Sequence, residues 1–144
     1  MSNQVAAPLA ASTNIRIRFS EVDSVGIVWH GSYALYFEDA REAFGAMYGL
    51  AYLDIFNNGY YAPIVELAFS FKKPLSYGNN AVVTATFRNT PAAKIIFDYE
   101  ITDAVDGSLI ATGKSVQVFL DLDYRLVWTL PPFFAEWKQK HNLS

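Results

Sequence analysis

Apolar positions repeat along this chain with two periods, near two and near 3.6 residues. From Asn14 to Ser20, Ile15, Ile17 and Phe19 alternate with Arg16 and Arg18, the pattern of a half-buried strand. Glu21 to Ser32 breaks the period and carries two glycines, Gly26 and Gly31, as a loop does. From Tyr33 to Tyr48 the period is helical. Tyr33, Tyr36, Phe37, Ala40, Phe44 and Met47 share one face, and Glu38, Asp39, Arg41 and Glu42 the other. Gly49 supplies a left-handed cap. Ala51 to Asn57 reads as a short helical turn closed by Asn57-Asn58-Gly59. Period two then returns over residues 62–73, with Val65, Leu67, Phe69 and Phe71 set against Glu66, Ala68, Ser70 and Lys72. Strands are also expected over 81–88, 94–102 and 108–120, and Pro131 opens a short helix to about Lys140.

Strand, long helix, then four strands joined by turns such as Gly78-Asn79-Asn80 and Asp106-Gly107 predict an α+β fold with an antiparallel sheet. Residues 1–13 are small and polar and read as a loose tail, which leaves 14–144 as one domain. The chain has 144 residues, 52% of them hydrophobic and only 17% charged. That supports one sizeable core and leaves apolar side chains to spare for a subunit interface.

Charge and composition remove several functions. A formal net charge of −3 argues against a general nucleic-acid binder. The absence of cysteine excludes disulfides, zinc-thiolate sites and cysteine nucleophiles. With only His30 and His141, a histidine-rich metal site is not expected. The longest stretch without a charged side chain, Met1 to Ile15, is too polar for a membrane span or a signal peptide. A cytoplasmic protein is the expectation.

Two segments invite chemistry. Gly113-Lys114-Ser115 imitates the end of a phosphate-binding loop, but Ser108 stands where the upstream glycine belongs and the segment reads as strand interior. The loop from Phe19 to His30 is different. It joins a strand to the longest helix and carries Glu21, Asp23 and His30 among apolar residues. Asp23 offers a nucleophile or general base. The helix start offers unpaired N–H groups for a carbonyl oxygen that gains negative charge. An Asp before a glycine turn is also an ordinary turn residue, so the loop alone leaves both readings open.

The stretch F-S-E-V-D-S-V-G-I-V-W-H-G-S-Y-A-L-Y-F-E-D-A-R, Phe19 to Arg41, resembles the signature of hot-dog-fold acyl-CoA thioesterases, closest to the 4-hydroxybenzoyl-CoA thioesterase-like family. Pro63 to Pro74, Asp106-Gly107 and Ala111-Thr112-Gly113 continue the likeness, which covers about residues 14–122. The resemblance implies a sheet of about five strands wrapped around one long helix. It implies a homodimer or homotetramer with active sites at the dimer interface and an acyl-CoA substrate whose CoA is no separate cofactor. It puts the catalytic carboxylate at Asp23, the oxyanion-contacting backbone N–H at His30 and the turn glycine at Gly26. The family's first acid is commonly Asp; here it is Glu21.

Trp29, Gly31, Tyr33 and Glu66 complete the expected substrate-binding set. Lys72, Lys73, Arg88, Lys94 and Lys114 are candidates for the CoA phosphates by residue type only. The acyl group expected is aromatic or short to medium in length. Two other functions stay open: a non-catalytic acyl-CoA or acyl-carrier binding protein, and a hot-dog hydratase or dehydratase.

Overall fold

The computed structural model describes residues 8–143. Strand β1 (Ala10–Arg16) leads through a 3-10 turn (Phe19–Glu21) and a loop into helix α1 (Ser32–Tyr48) and the short helix α2 (Tyr52–Asn57). Strands β2 (Tyr60–Tyr61), β3 (Ile64–Phe71), β4 (Asn80–Arg88), β5 (Lys94–Asp103), β6 (Leu109–Asp121) and β7 (Leu126–Val127) follow, and helix α3 (Pro132–Lys140) comes last. All strand pairs are antiparallel. The long strands lie in the order β1-β4-β5-β6, with β3 on the free side of β6. Five strands were expected and these are five, but the first runs over Ala10–Arg16 rather than 14–20, and Phe19 stands exposed in the 3-10 turn because the chain leaves the sheet to enter the loop. Strands β2 and β7 add two residues each at the far end of β6, making seven.

Helix α1 lies against one face of this sheet because its apolar stripe has nowhere else to go. Phe44 is fully buried and meets Phe97 edge-on, with ring centroids 4.8 Å apart. Phe37 stacks on Tyr99 at 4.7 Å. Its ring needs Gly113 beneath it, since a Cβ there would stand 2.5 Å from Phe37. The apparent phosphate-loop glycine is therefore a packing glycine inside β6. The buried Tyr99 hydroxyl is satisfied by Ser115 Oγ at 2.6 Å. The Trp137 indole N–H donates to the Tyr48 carbonyl (2.7 Å) and ties α3 to the end of α1. The Gly49 N–H donates back to the Gly45 carbonyl at φ +74°, closing α1 where expected.

Three other expectations change. Of the tail expected over 1–13, residues 1–7 lie outside the described residues, but 10–13 are strand: Ala10 to Thr13 pair with Thr86 to Val83. Their small side chains carry little hydrophobic signal, and it is the sheet edge that orders them. Met47 is 62% exposed, because the buried stripe runs from Phe44 to Tyr48, whose rings lie 4.6 Å apart. In β3 a bulge falls between Ile64 and Glu66, so Val65 leaves the apolar face it was expected to share with Leu67. Among the described residues, no helix is long and apolar enough to cross a membrane.

Candidate active site

The loop between the 3-10 turn and α1 is a small hairpin. Val22 bridges Val28, the Asp23 N–H donates to the Ile27 carbonyl (2.8 Å), and the Gly26 N–H donates to the Asp23 carbonyl (3.0 Å). Gly26 closes the turn at φ +79°, a conformation that favours glycine. The hairpin is stitched to the segment after β3: the Val28 N–H donates to Leu75, and the Tyr77 N–H to Gly26.

Asp23 sits at the near end of this turn. Its Oδ1 accepts the Val25 N–H (2.9 Å) and the Ile27 N–H (3.3 Å). Among the described residues Oδ2 has no partner, and the side chain is exposed. The turn uses one oxygen and leaves the other open to the solvent-facing side.

Beyond the hairpin the chain enters α1. The Ser32 N–H donates to Trp29 (2.9 Å) and the Tyr33 N–H to His30 (3.3 Å). The His30 and Gly31 N–H groups find no acceptor among the described residues, as expected at a helix start. The Trp29 ring folds over Gly31, where a Cβ would come within 2.1 Å of it.

These pieces line one cleft of about 400 Å³ that contains Asp23, Trp29, His30 and Tyr33 together with Phe71, Lys72 and Lys73. Tyr33 and Phe71 meet edge-on at 4.9 Å. Burial raises the Tyr33 hydroxyl above its ordinary pKa, with a hydrogen bond to the Leu75 backbone pulling the other way. Gly26 and Gly31, expected to bind substrate, do not line the cleft: Gly26 closes the turn next to it, and Gly31 lies under the Trp29 ring. Glu66, expected to bind substrate, is not brought there; on β3 it pairs with Val116 of β6, on the sheet surface turned away from α1. Phe71 was expected only as strand interior. Its signal is that it stands at the end of β3, directly before Lys72, Lys73 and the breaker Pro74.

The profile of the thioesterase-like superfamily matches residues 17–138. The chain belongs to the thioesterase-like superfamily. YneP of Bacillus subtilis (strain 168), provisionally named an acyl-CoA thioesterase, is 34% identical over 105 residues, 72% of this chain and 76% of that protein. A chloroplastic acyl-acyl carrier protein thioesterase of Arabidopsis thaliana, ATL3, is 33% identical over 78% of this chain, which spans 60% of that protein. The DHNA-CoA thioesterase structure from Staphylococcus aureus aligns with TM-score 0.81 and 26% identity, over 92% of this chain and 89% of that one. The hot-dog architecture expected from the loop signature is thus the architecture of this thioesterase-like chain.

Cations are spread unevenly around it. Lys72 and Lys73 border the Asp23 cleft. Lys73 Nζ is drawn to Ser108 Oγ (2.9 Å) and Asp106 (3.8 Å), while Lys72 has no ion pair among the described residues. Arg88 is held by Asp98, and Lys114 pairs across from Asp98 on the sheet face away from α1. A second cavity, about 330 Å³, lies between α1 and α2 near Arg41, Tyr52 and Gln117 and contains none of the expected site residues.

Proposed function

We propose that this chain hydrolyses the thioester of an aromatic or short-to-medium acyl-CoA, with Asp23 as the reacting carboxylate. One observation carries the reading: a carboxylate with an unshared oxygen lies in the same cleft as His30, whose backbone N–H is open, with the open Gly31 N–H next in the chain. The carbonyl oxygen of the thioester sits at those N–H groups, where the positive end of α1 also favours negative charge. Two routes fit. Asp23 takes a proton from water, whose oxygen attacks the carbonyl carbon; the carbon–sulfur bond breaks, and the thiolate leaves and is protonated. Alternatively, Asp23 attacks directly, expels the thiolate as a mixed anhydride forms, and water then hydrolyses the anhydride. No cofactor enters either route.

The walls support the substrate class. Trp29, Tyr33 and Phe71 offer aromatic surface for the acyl group, and Lys72 is the unpaired cation best placed for a CoA phosphate. The active form in this reading is a homodimer or homotetramer, with the cleft completed across the dimer interface. Likeness to ATL3 favours a second reading, in which the same acyl group arrives on an acyl carrier protein.

The experiment is thiol release from a panel of acyl-CoAs, with the same acyl groups also offered on acyl carrier protein. Asp23→Asn should lower kcat by at least about 100-fold in a folded protein. Equal rates for the variant and the parent would remove Asp23 from the chemistry. No release from any thioester by the parent would leave a binding protein.

A further inference from the structure

We propose that Glu21 is a positioning residue that sets Asp23 and the His30 N–H relative to each other; this rests on the thioesterase reading above. Glu21 stands two residues before Asp23 and is used at both its ends. Its carboxyl Oε1 accepts the Arg18 N–H (2.7 Å) and the Tyr36 hydroxyl (3.1 Å). Its backbone carbonyl accepts the Trp29 N–H (2.9 Å) and the Ser32 hydroxyl (3.4 Å). One residue therefore ties the entry of the hairpin to its exit and to the first two turns of α1.

The anchor is firm because Tyr36 is buried in the core. Its ring cannot follow the loop, so the loop must follow the ring. Burial and the Glu21 carboxylate both push the Tyr36 hydroxyl up from its ordinary pKa, which keeps it a donor to Glu21 at neutral pH. The Glu21 side chain does not border the Asp23 cleft. It lines a separate cavity with Arg18, Tyr36 and Asp39, on another side of α1. It lies outside the cleft in which the thioester is proposed to bind and acts through the loop. A shift of about 1 Å in such a constellation costs on the order of 100-fold in rate.

Three variants test this: Glu21→Ala, Glu21→Gln and Tyr36→Phe. Glu21→Ala removes the carboxyl acceptor, keeps the backbone carbonyl, and should lower kcat by about 10- to 100-fold, with KM held within about threefold. Glu21→Gln keeps an oxygen that accepts both donors and should stay within about threefold of the parent kcat. Tyr36→Phe keeps the ring, loses one bond and should fall between them; it serves where Glu21→Ala does not fold.

Amide hydrogen exchange supplies a readout independent of turnover. The Asp23, Gly26 and Trp29 amides should exchange at least about tenfold faster in Glu21→Ala, while those between β4 and β5 keep their protection. The proposal is overturned if these loop amides are unchanged, if Glu21→Ala turns over at the parent rate, or if Glu21→Gln is as impaired as Glu21→Ala. Failure of the parent to release thiol would sink the thioesterase reading alone, and the exchange data would then decide the role of Glu21.

Discussion

Asp23 holds its own turn with one carboxylate oxygen and leaves the other open, and the two glycines beside it work for opposite reasons. Gly26 has open space around it but sits at φ +79°. Gly26→Ala therefore strains the backbone by about 1–2 kcal/mol, and should lower both Tm and kcat. Gly31 has an ordinary helical φ of −65° but no room, because the Trp29 ring occupies the place of its Cβ. Gly31→Ala should displace the ring, visible as a change in tryptophan fluorescence and a raised KM, with little loss of Tm. At this scale much could be read in advance. Asp23 and Gly26 were legible because turn chemistry is local. The grip of Glu21 on Tyr36 was not, because its partner is fifteen residues away and on another element.

Helix α1 is the element that organises the rest. Phe44 lies at the meeting of α1, β5 and α3, in contact range of Phe97 and Trp137. Phe44→Ala should cost about 3–5 kcal/mol in chemical denaturation, because so fixed a site collapses poorly. The outer face of α1 carries a different penalty. Asp39 is exposed, but partial desolvation against the helix, and then the neighbouring Glu42 carboxylate, hold its carboxyl above its ordinary pKa. The folded chain binds that proton more tightly than the unfolded chain, so stability falls as pH rises through the window between the two values and stays lower above it. Asp39→Asn should therefore melt above the parent at pH 7, and the gap should close as pH drops below about 3.9. The helix was readable from period alone. The bulge in β3 was not: a one-residue slip inverts a strand's faces, and nothing local in Val65-Glu66 marks it.

At the scale of the molecule, the long sheet ends on β3, which pairs only with β6 among the described residues. Val65, Leu67 and Phe71 on that strand are all exposed. An open edge with apolar side chains is a template for another strand, and the proposed dimer would use it. Val65→Lys combined with Leu67→Lys should shift the protein toward monomer in light scattering and depress thiol release with it. A parent that is monomeric and fully active would contradict an interface-sited cleft.

The sequence by itself determined the element order, the α+β class, the loop that carries Asp23 and His30, and membership of a thioesterase-like lineage. The element order, the class and the loop follow from periodicity and turn chemistry, which act over a few residues; the lineage rests on the resemblance of Phe19 to Arg41 to a thioesterase signature and on the family match over residues 17–138. Tertiary structure decided the rest. It brought Phe71 and Lys72 to the loop and kept Glu66 away from it. It ordered residues 10–13 against β4 and moved the end of the helix stripe from Met47 to Tyr48. Each of these depends on which strand lies beside which, and that is set by how the whole apolar surface packs at once.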